Sequence, residues 1–531
     1  MRKARFVLLV GVLWCLTARP VTAQVMVGAV RSTDTVLDGV RYFATLVGRD
    51  DIAKQLEPFL DTLTGGKGLA GLDRRRSLGF YVQSVPLPGQ QPAGAIFIPV
   101  SDDKDFLQLL LALNFQVNEP DANQVRALTL PTGQGAYLRF AHRHAFISNE
   151  RSQLAGNLPN PDQFLTPEQQ RHQLVISTRI REVPPAVRKK LVSLLRELTD
   201  KPLERKPQET EGQYQFRRFL TTLLRQQLVQ AVEDIEEWTL SADLDTQTHR
   251  LLVNLELVFR AGSSTAAAVN RLHRSPSRFR VLQTESGSSL VLAYPVYGAL
   301  RELLDKLAAM MEKGIADKPQ EQQAILRKLY ESILPTLKND FHELAIFLHG
   351  PMPDEKLAPV VALRLREGRK LEAAFRELVK VLPEDARARI HLDAATSAGH
   401  TIHQIEVSPD DKNFARVFGD EKLAFLVTDD YLLLGAGTHA VTSLQQAVAK
   451  LGSEQIGPAG SLELSLRQLA ALIRHNPDNK NFADALLKTF AGQHERRDRV
   501  HLVLEGKDNR LQVRLELPTL LVQAIVASTR Q

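Results

Sequence analysis

The chain has one cysteine in 531 residues, Cys15, and it lies within the first 23. If that leader is removed, disulfides and thiolate chemistry are excluded for what remains. No apolar run approaches the roughly 20 residues that a spanning helix needs. Charge of one sign is also scarce. The chain carries 67 basic and 61 acidic residues, a formal +6. Arg2, Lys3, Arg5 and Arg19 lie in the leader, so 63 basic residues face 61 acidic ones afterwards, a formal +2. A near-neutral surface gives no concentrated basic field for nucleic acid.

Recognisable catalytic motifs are missing too. There is no GxSxG, HExxH, CxxC or EF-hand loop. Ser101-Asp-Asp-Lys104 fits SxxK, but the partner motifs SDN and KTG are absent. Ser101 reads instead as the N-cap of a helix over Phe106–Leu113, with acids in its first turn. Gly66-Lys-Gly-Leu-Ala-Gly71 fits GxGxxG, yet a helical pattern precedes it and a strand pattern follows. A dinucleotide site needs the reverse order, so this is a glycine-rich turn. Gly435-Ala-Gly437-Thr-His-Ala440 follows a strand and precedes a helix. That strand is the second arm of a hairpin turning at Thr428-Asp429-Asp430, whereas a Rossmann unit needs a parallel crossover. No cofactor is expected.

The histidine pairs His142/His144 and His400/His403 are the candidate metal ligands. A zinc site needs at least three protein ligands, and neither pair has an evident third. No metal site is expected, and all four histidines are expected to be replaceable by alanine without loss of fold. Asp243 and Asp245 are read as polar turn residues. No catalytic, cofactor-binding or metal-binding residue is assigned, and the chain is read as non-enzymatic.

What the sequence does contain begins with Met1–Ala23. Three early basic residues precede a short apolar run, Phe6–Leu16, and Val21-Thr22-Ala23 offers small residues at cleavage spacing. This is the pattern of a secretory signal peptide, with Gln24 as the mature N-terminus. Trp14 before Cys15 does not fit a lipobox. The expected location is periplasmic or extracellular.

A duplication follows. Leu251-Leu-Val-Asn-Leu-Glu-Leu257 returns as Leu511-Gln-Val-Arg-Leu-Glu-Leu517, 260 residues on, and both alternate as strands do. Leu78, Phe80 and Val82 match Leu344, Ile346 and Leu348; Ile96, Ile98 and Val100 match Val361, Leu363 and Leu365. Phe106, Leu110 and Leu113 match Leu371, Phe375 and Leu378 at helical spacing. Leu174 and Ile176 match Leu462 and Leu464, and His142 falls on Asp429. The second half carries extra residues near 383–422, the first near 197–216.

The expected fold is therefore α+β: two homologous halves, 24–272 and 289–531, each a largely antiparallel sheet with amphipathic helices on one face. Residues 273–288 are read as a linker, and 200–212 as a loop inside the first half. Helices 186–198 and 299–311 are strongly amphipathic, as packing on a sheet or lining an apolar cleft would require.

The signal peptide, the duplication and the RSLGFYV…AGAIFIPV arrangement after a leading amphipathic helix resemble large exported proteins of unknown function found in planctomycete-type bacteria. The resemblance covers the mature chain and brings no activity or site residue with it. The expected role is binding or scaffolding at the cell envelope, with an envelope protein or an apolar ligand as partner. A carrier of lipid and a hydrolase with a site built from distant loops are the alternatives.

Overall fold

A computed structural model describes residues 25–84, 93–199, 203–206, 209–284, 287–406, 412–474, 476–492 and 497–529. The expected signal peptide, Cys15 and Gln24 lie outside the described residues. The chain is mixed helix and sheet and divides into two compact units. The first holds the described residues up to Leu195 together with Ile235–Phe259; the second holds Arg196–Asp234 and Arg260 onward.

The first unit is one antiparallel sheet of ten strands. These are β1 (Met26–Val30), β2 (Leu78–Ser84), β3 (Ala93–Pro99), β4 (Gln116–Val117), β5 (Arg126–Thr129), β6 (Gly135–Ala141), β7 (His144–Ser148), β8 (Leu174–Arg179), β9 (Ile235–Asp245) and β10 (Arg250–Phe259). Their order across the sheet is β10-β9-β8-β1-β2-β3-β7-β6-β5-β4. Helices α1 (Thr33–Leu46) and α2 (Asp50–Leu63) join β1 to β2, α3 (Asp103–Ala112) follows β3, and α4 (Arg151–Ala155) follows β7. Helix α5 (Pro185–Thr199) follows β8.

The second unit opens with helices α6 (Glu211–Asp234) and α7 (Ser264–Asn270) and a short strand β11 (Ser275–Ser277). Its sheet holds β12 (Ser288–Pro295), β13 (Phe341–His349), β14 (Ala358–Arg364), β15 (Ile390–Ser397), β16 (His400–Glu406), β17 (Lys422–Val427) and β18 (Tyr431–Ala436). After β19 (Gln455–Gly457), which pairs with β11, come β20 (Gly460–Ser465), β21 (Arg499–Lys507) and β22 (Arg510–Pro518). The order is β22-β21-β20-β12-β13-β14-β18-β17-β16-β15, again wholly antiparallel. Helices α8 (Gly298–Ala316) and α9 (Gln320–Leu337) join β12 to β13, α10 (Gly368–Val381) follows β14, and α11 (Glu384–Ala388) and α12 (Lys412–Phe418) are short. Helix α13 (Ala440–Lys450) follows β18; α14 (Leu466–Ile473), α15 (Lys480–Phe490) and α16 (Leu520–Ser528) complete the unit.

The strand order is the same in both units, strand for strand. Directly paired residues share a face of the sheet, so one row can be followed across each. In the first unit it runs Leu255, Leu240, Ile176, Gly28, Phe80, Ile96, Ile147, Leu138, Arg126. In the second it runs Leu515, Leu502, Leu462, Leu290, Ile346, Val361, Leu434, Phe425, His403. The sequence matches Phe80/Ile346, Ile96/Val361 and Leu255/Leu515 fall at corresponding places. The match of Ile176 with Leu464 does not: hydrogen bonding puts Leu462 opposite Leu290. A two-residue slip keeps the buried face, so alternation alone cannot detect it.

Three expectations need correction. Helices cover both faces of each sheet, not one. Leu154 of α4 packs with Tyr81, Phe97 and Phe146, while Phe106, Leu109 and Leu110 of α3 pack with Leu138 and Ala145 from the opposite face. In the second unit α13 covers Val360, Ala424, Leu426 and Leu433, while Leu371 and Phe375 of α10 meet Phe425 and Val427 on the other side. Secondly, the described part of 273–288, the expected linker, is no tether. Phe279 and Leu282 are fully buried in the second unit's core, and Ser275–Ser277 pair with Gln455–Gly457. Thirdly, 196–234 belongs with the second unit. Its α6 packs beside α8, with the Lys306 ammonium 5.8 Å from the Phe219 ring centre. Asp234 at its end is buried and accepts from Arg260 Nη2 at 2.6 Å and Thr265 Oγ1 at 2.8 Å.

Candidate functional site

The sequence-derived candidates resolve into structural roles. His142 and Arg143 form the β6–β7 turn with φ of 51° and 58°, and His142 Nε2 lies 2.9 Å from the Leu158 carbonyl. His144 enters the core: it is fully buried against Phe97 and Phe146, with Nδ1 2.9 Å from the His142 carbonyl. Burial lowers its pKa. His400 starts β16 after the Ala398-Gly399 turn, and His403 lies three residues on, so their side chains point to opposite faces. Among the described residues no group of three or more His, Cys, Asp or Glu side chains could hold a metal ion. Elemental analysis of the purified protein is expected to give well under one zinc per chain. His144 and His403 are fully buried, so their replacement by alanine is expected to cost stability, unlike that of His142 and His400. His142→Ala and His400→Ala should leave the unfolding midpoint almost unchanged, and His144→Ala should lower stability by about 2–3 kcal/mol in urea titrations.

Ser101 is not the cap of α3. The Asp102 carboxylate accepts from the Asp105 amide at 2.9 Å and takes that place, one residue later. Gly66–Gly71 is a turn between α2 and β2, as its flanks require. Gly71 has φ +84°, and a Cβ there would sit 2.1 Å from the Phe106 nitrogen, which explains the glycine. Gly435 and Gly437 end the β17–β18 hairpin before α13. Asp245 caps its turn through Gln247 N, Thr248 N and Thr248 Oγ1. Asp243 sits on β9 instead, 2.5 Å from His172 Nδ1, and accepts from Gln173 N.

Two features escaped the sequence reading. One is a polar cluster where α10 crosses β15 and β16. His403 is fully buried. Its Nδ1 accepts the Asp393 amide proton at 3.1 Å, so Nε2 carries the ring hydrogen and donates to Glu372 Oε1 at 3.3 Å. Arg376 spans both acids, donating to Glu372 at 2.8 Å and to Asp393 at 2.5 Å. Asp393 reaches this position through a bulge in β15, with φ +60°. Its hydrogen bonds to Arg376 hold its pKa low, and both acids raise that of Arg376. Burial, then Arg376, lower that of His403. Arg376 occupies the carboxylates that would activate a base, and among the described residues no nucleophile joins the cluster. The cluster ties α10 to β15 and β16.

The other feature is the second unit's sheet. On one face Val291, Ala345, Phe347, Val360, Ala362 and Leu433 are completely buried beneath α13 and its neighbours. On the other, Leu290, Ile346, Val361 and Leu434 form a cross-strand row whose centre stays open: Ile346 is 40 % exposed and Leu434 39 %. A second row, Leu292, Leu344, Leu363 and Leu432, runs beside it and is half-buried. No side chain in these rows can form a hydrogen bond. At 4.8 Å per strand and 7 Å between rows, the apolar field extends roughly 14 Å across the strands. Helix α10 closes one end of this face through Leu371 and Phe375. Helices α8 and α9 leave their own leucines half-buried.

Two cavities lie elsewhere among the described residues. One of about 490 Å³ is lined by His273, Arg274, Glu505, Lys507 and Arg510 among others, and one of about 300 Å³ by Arg196, Arg225 and Glu233. No described helix is long and apolar enough to cross a membrane. No protein-family model, curated protein or solved structure matches the chain.

Proposed function

We propose that this is an exported, non-enzymatic envelope protein that arose by internal duplication and binds an apolar ligand on the open sheet face of its second unit. Support for duplication comes from the shared order of ten strands and from the corresponding rows. Descent from one ancestral sheet accounts for both more simply than chance.

One observation supports the ligand reading above all: Ile346 and Leu434 lie in mid-sheet among partly buried apolar neighbours, yet remain exposed. An apolar field of this kind in a folded protein marks a binding surface. Its lack of hydrogen-bonding groups selects the ligand class. A peptide strand laid there would lose hydration of its amides without replacement, whereas an acyl chain has nothing to leave unpaired. The face is open rather than a deep pocket, so it suits a lipid presented by or returned to a membrane. The hydrolase alternative has no support from the polar cluster, which Arg376 saturates.

Native mass spectrometry of the protein purified from its source tests the proposal. The expected mass is that of a chain starting at Gln24, with an apolar adduct that solvent extraction removes. The neutral probe N-phenyl-1-naphthylamine should bind the extracted protein. It should bind at least about tenfold more weakly to Ile346→Asp/Leu434→Asp, which places charge on the face. A bare chain that binds no probe would leave the scaffold reading in its place.

A further inference from the structure

We propose that the Glu372–Arg376–Asp393–His403 cluster is a pH-controlled clamp that holds α10 over one end of the apolar sheet face and releases it on acidification. The inference rests on the apolar-face reading for its functional meaning.

His403 lies in the same cross-strand row as Val361, Leu434 and Phe425, next to Phe425. Its ring is tilted against the Phe425 ring at 4.9 Å, and Phe375 of α10 meets the same ring edge-on at 5.0 Å. The helix is therefore held to this end of the face by two contacts, one apolar and one polar. The polar contact needs a neutral imidazole. Nδ1 must offer a lone pair to the Asp393 amide, and a second ring proton would set N–H against N–H. The charged and titratable groups facing the ring are Glu372 and Arg376 from α10 and Asp393 from β15. β17 presents Phe425, which does not titrate. Glu372 and Asp393 would attract an imidazolium, but both are already paired with Arg376, itself a cation opposing the extra charge.

The sign follows. In the unfolded segment the imidazole takes its proton near the ordinary value of 6.5, and in the folded cluster only at lower pH. The open form therefore binds more protons, and closure loses stability as pH falls below 6.5. Above 6.5 the clamp is at full strength.

Hydrogen exchange of the full mature protein reads this directly. Protection of residues 368–381, corrected for intrinsic rates, should fall between pH 7.5 and 5.5, by up to about tenfold, the most that one proton taken up by the open form over that range allows. Protection of 440–450 in α13 should not change. The apparent Kd for N-phenyl-1-naphthylamine should fall with it by about the same factor, as the competent fraction rises. His403→Asn keeps an acceptor for the Asp393 amide but cannot titrate, and both responses should vanish. Should that variant not fold, the wild type decides alone: the nitrogen resonances of His403 must titrate with the midpoint of α10 opening. Different midpoints, or equal protection at both pH values, overturn the clamp. Probe binding at pH 7.5 with no pH response overturns the clamp and leaves the open face standing. No probe binding at either pH overturns the open face itself.

Discussion

Phe347→Ala is expected to destabilise the second unit by about 3–5 kcal/mol, and Ile346→Ala, one residue earlier, by only about 1 kcal/mol. Phe347 is completely buried beside Val360, Leu433 and α13, so truncation leaves a cavity that close-packed neighbours cannot fill. Ile346 on the opposite face already shows 40 % of its surface to solvent, so its loss removes little packing. Urea unfolding followed by tryptophan-independent far-UV dichroism gives both values. The functional ranking should invert: the Phe347 variant, while folded, still binds the apolar probe, and the Ile346 variant binds it less. Equal destabilisation by the two substitutions would mean that the Ile346 face is covered as tightly as the other. The apolar-ligand reading would then lose its basis.

The same pair shows what was legible in the sequence. Strand positions and their shared order in the two units could be read because period-2 matching compares one face at a time, and one face suffices to find a strand. That procedure set Ile346 against Phe80 and passed over the residues between. Leu290–Ala293, Ala345–Leu348 and Val360–Leu363 are continuous apolar runs rather than alternating ones. Such runs signal a sheet apolar on both sides, which is why helices occupy both faces and why one face can stay open. The polar cluster was only half legible. Glu372 and Arg376 have the i,i+4 spacing of a helical ion pair, but His403 and Asp393 join them through a β-bulge, and no spacing rule foretells one. His144 and His403 were weighed as ligands because histidine invites it. Strand parity puts His144 on the face where Leu154 of α4 packs, but His403 on the open face, where α10 buries it, and among the described residues no third ligand joins either.

Glu343→Ala is expected to cost about 3–5 kcal/mol, because residues 275–284, within the expected linker, are part of the second unit's core and not a tether. Their serine, proline and arginine content suggests a loop, and what composition cannot show is the buried carboxylate that organises them. Glu343 is completely buried on β13. It accepts from the Ser277 hydroxyl, from the Phe279 amide at 3.0 Å and from the Arg278 amide at 3.3 Å, with Arg364 Nη1 3.8 Å away. One acid thus satisfies three donors of a segment that has little regular structure of its own, and seats Phe279 and Leu282 in the core. Arg280 completes the fastening through the carbonyls of Gln455 and Pro458. Alanine at 343 would strand those donors and leave Arg364 with Glu454 alone. Glutamine retains an acceptor oxygen and should cost less, about 1–2 kcal/mol. Urea titration gives the stability, and limited trypsin digestion locates the change: cleavage after Arg274, Arg278 and Arg280 should accelerate in the alanine variant and much less in the glutamine one. A true linker would be cut equally fast in all three proteins, because its backbone would already be open to the protease.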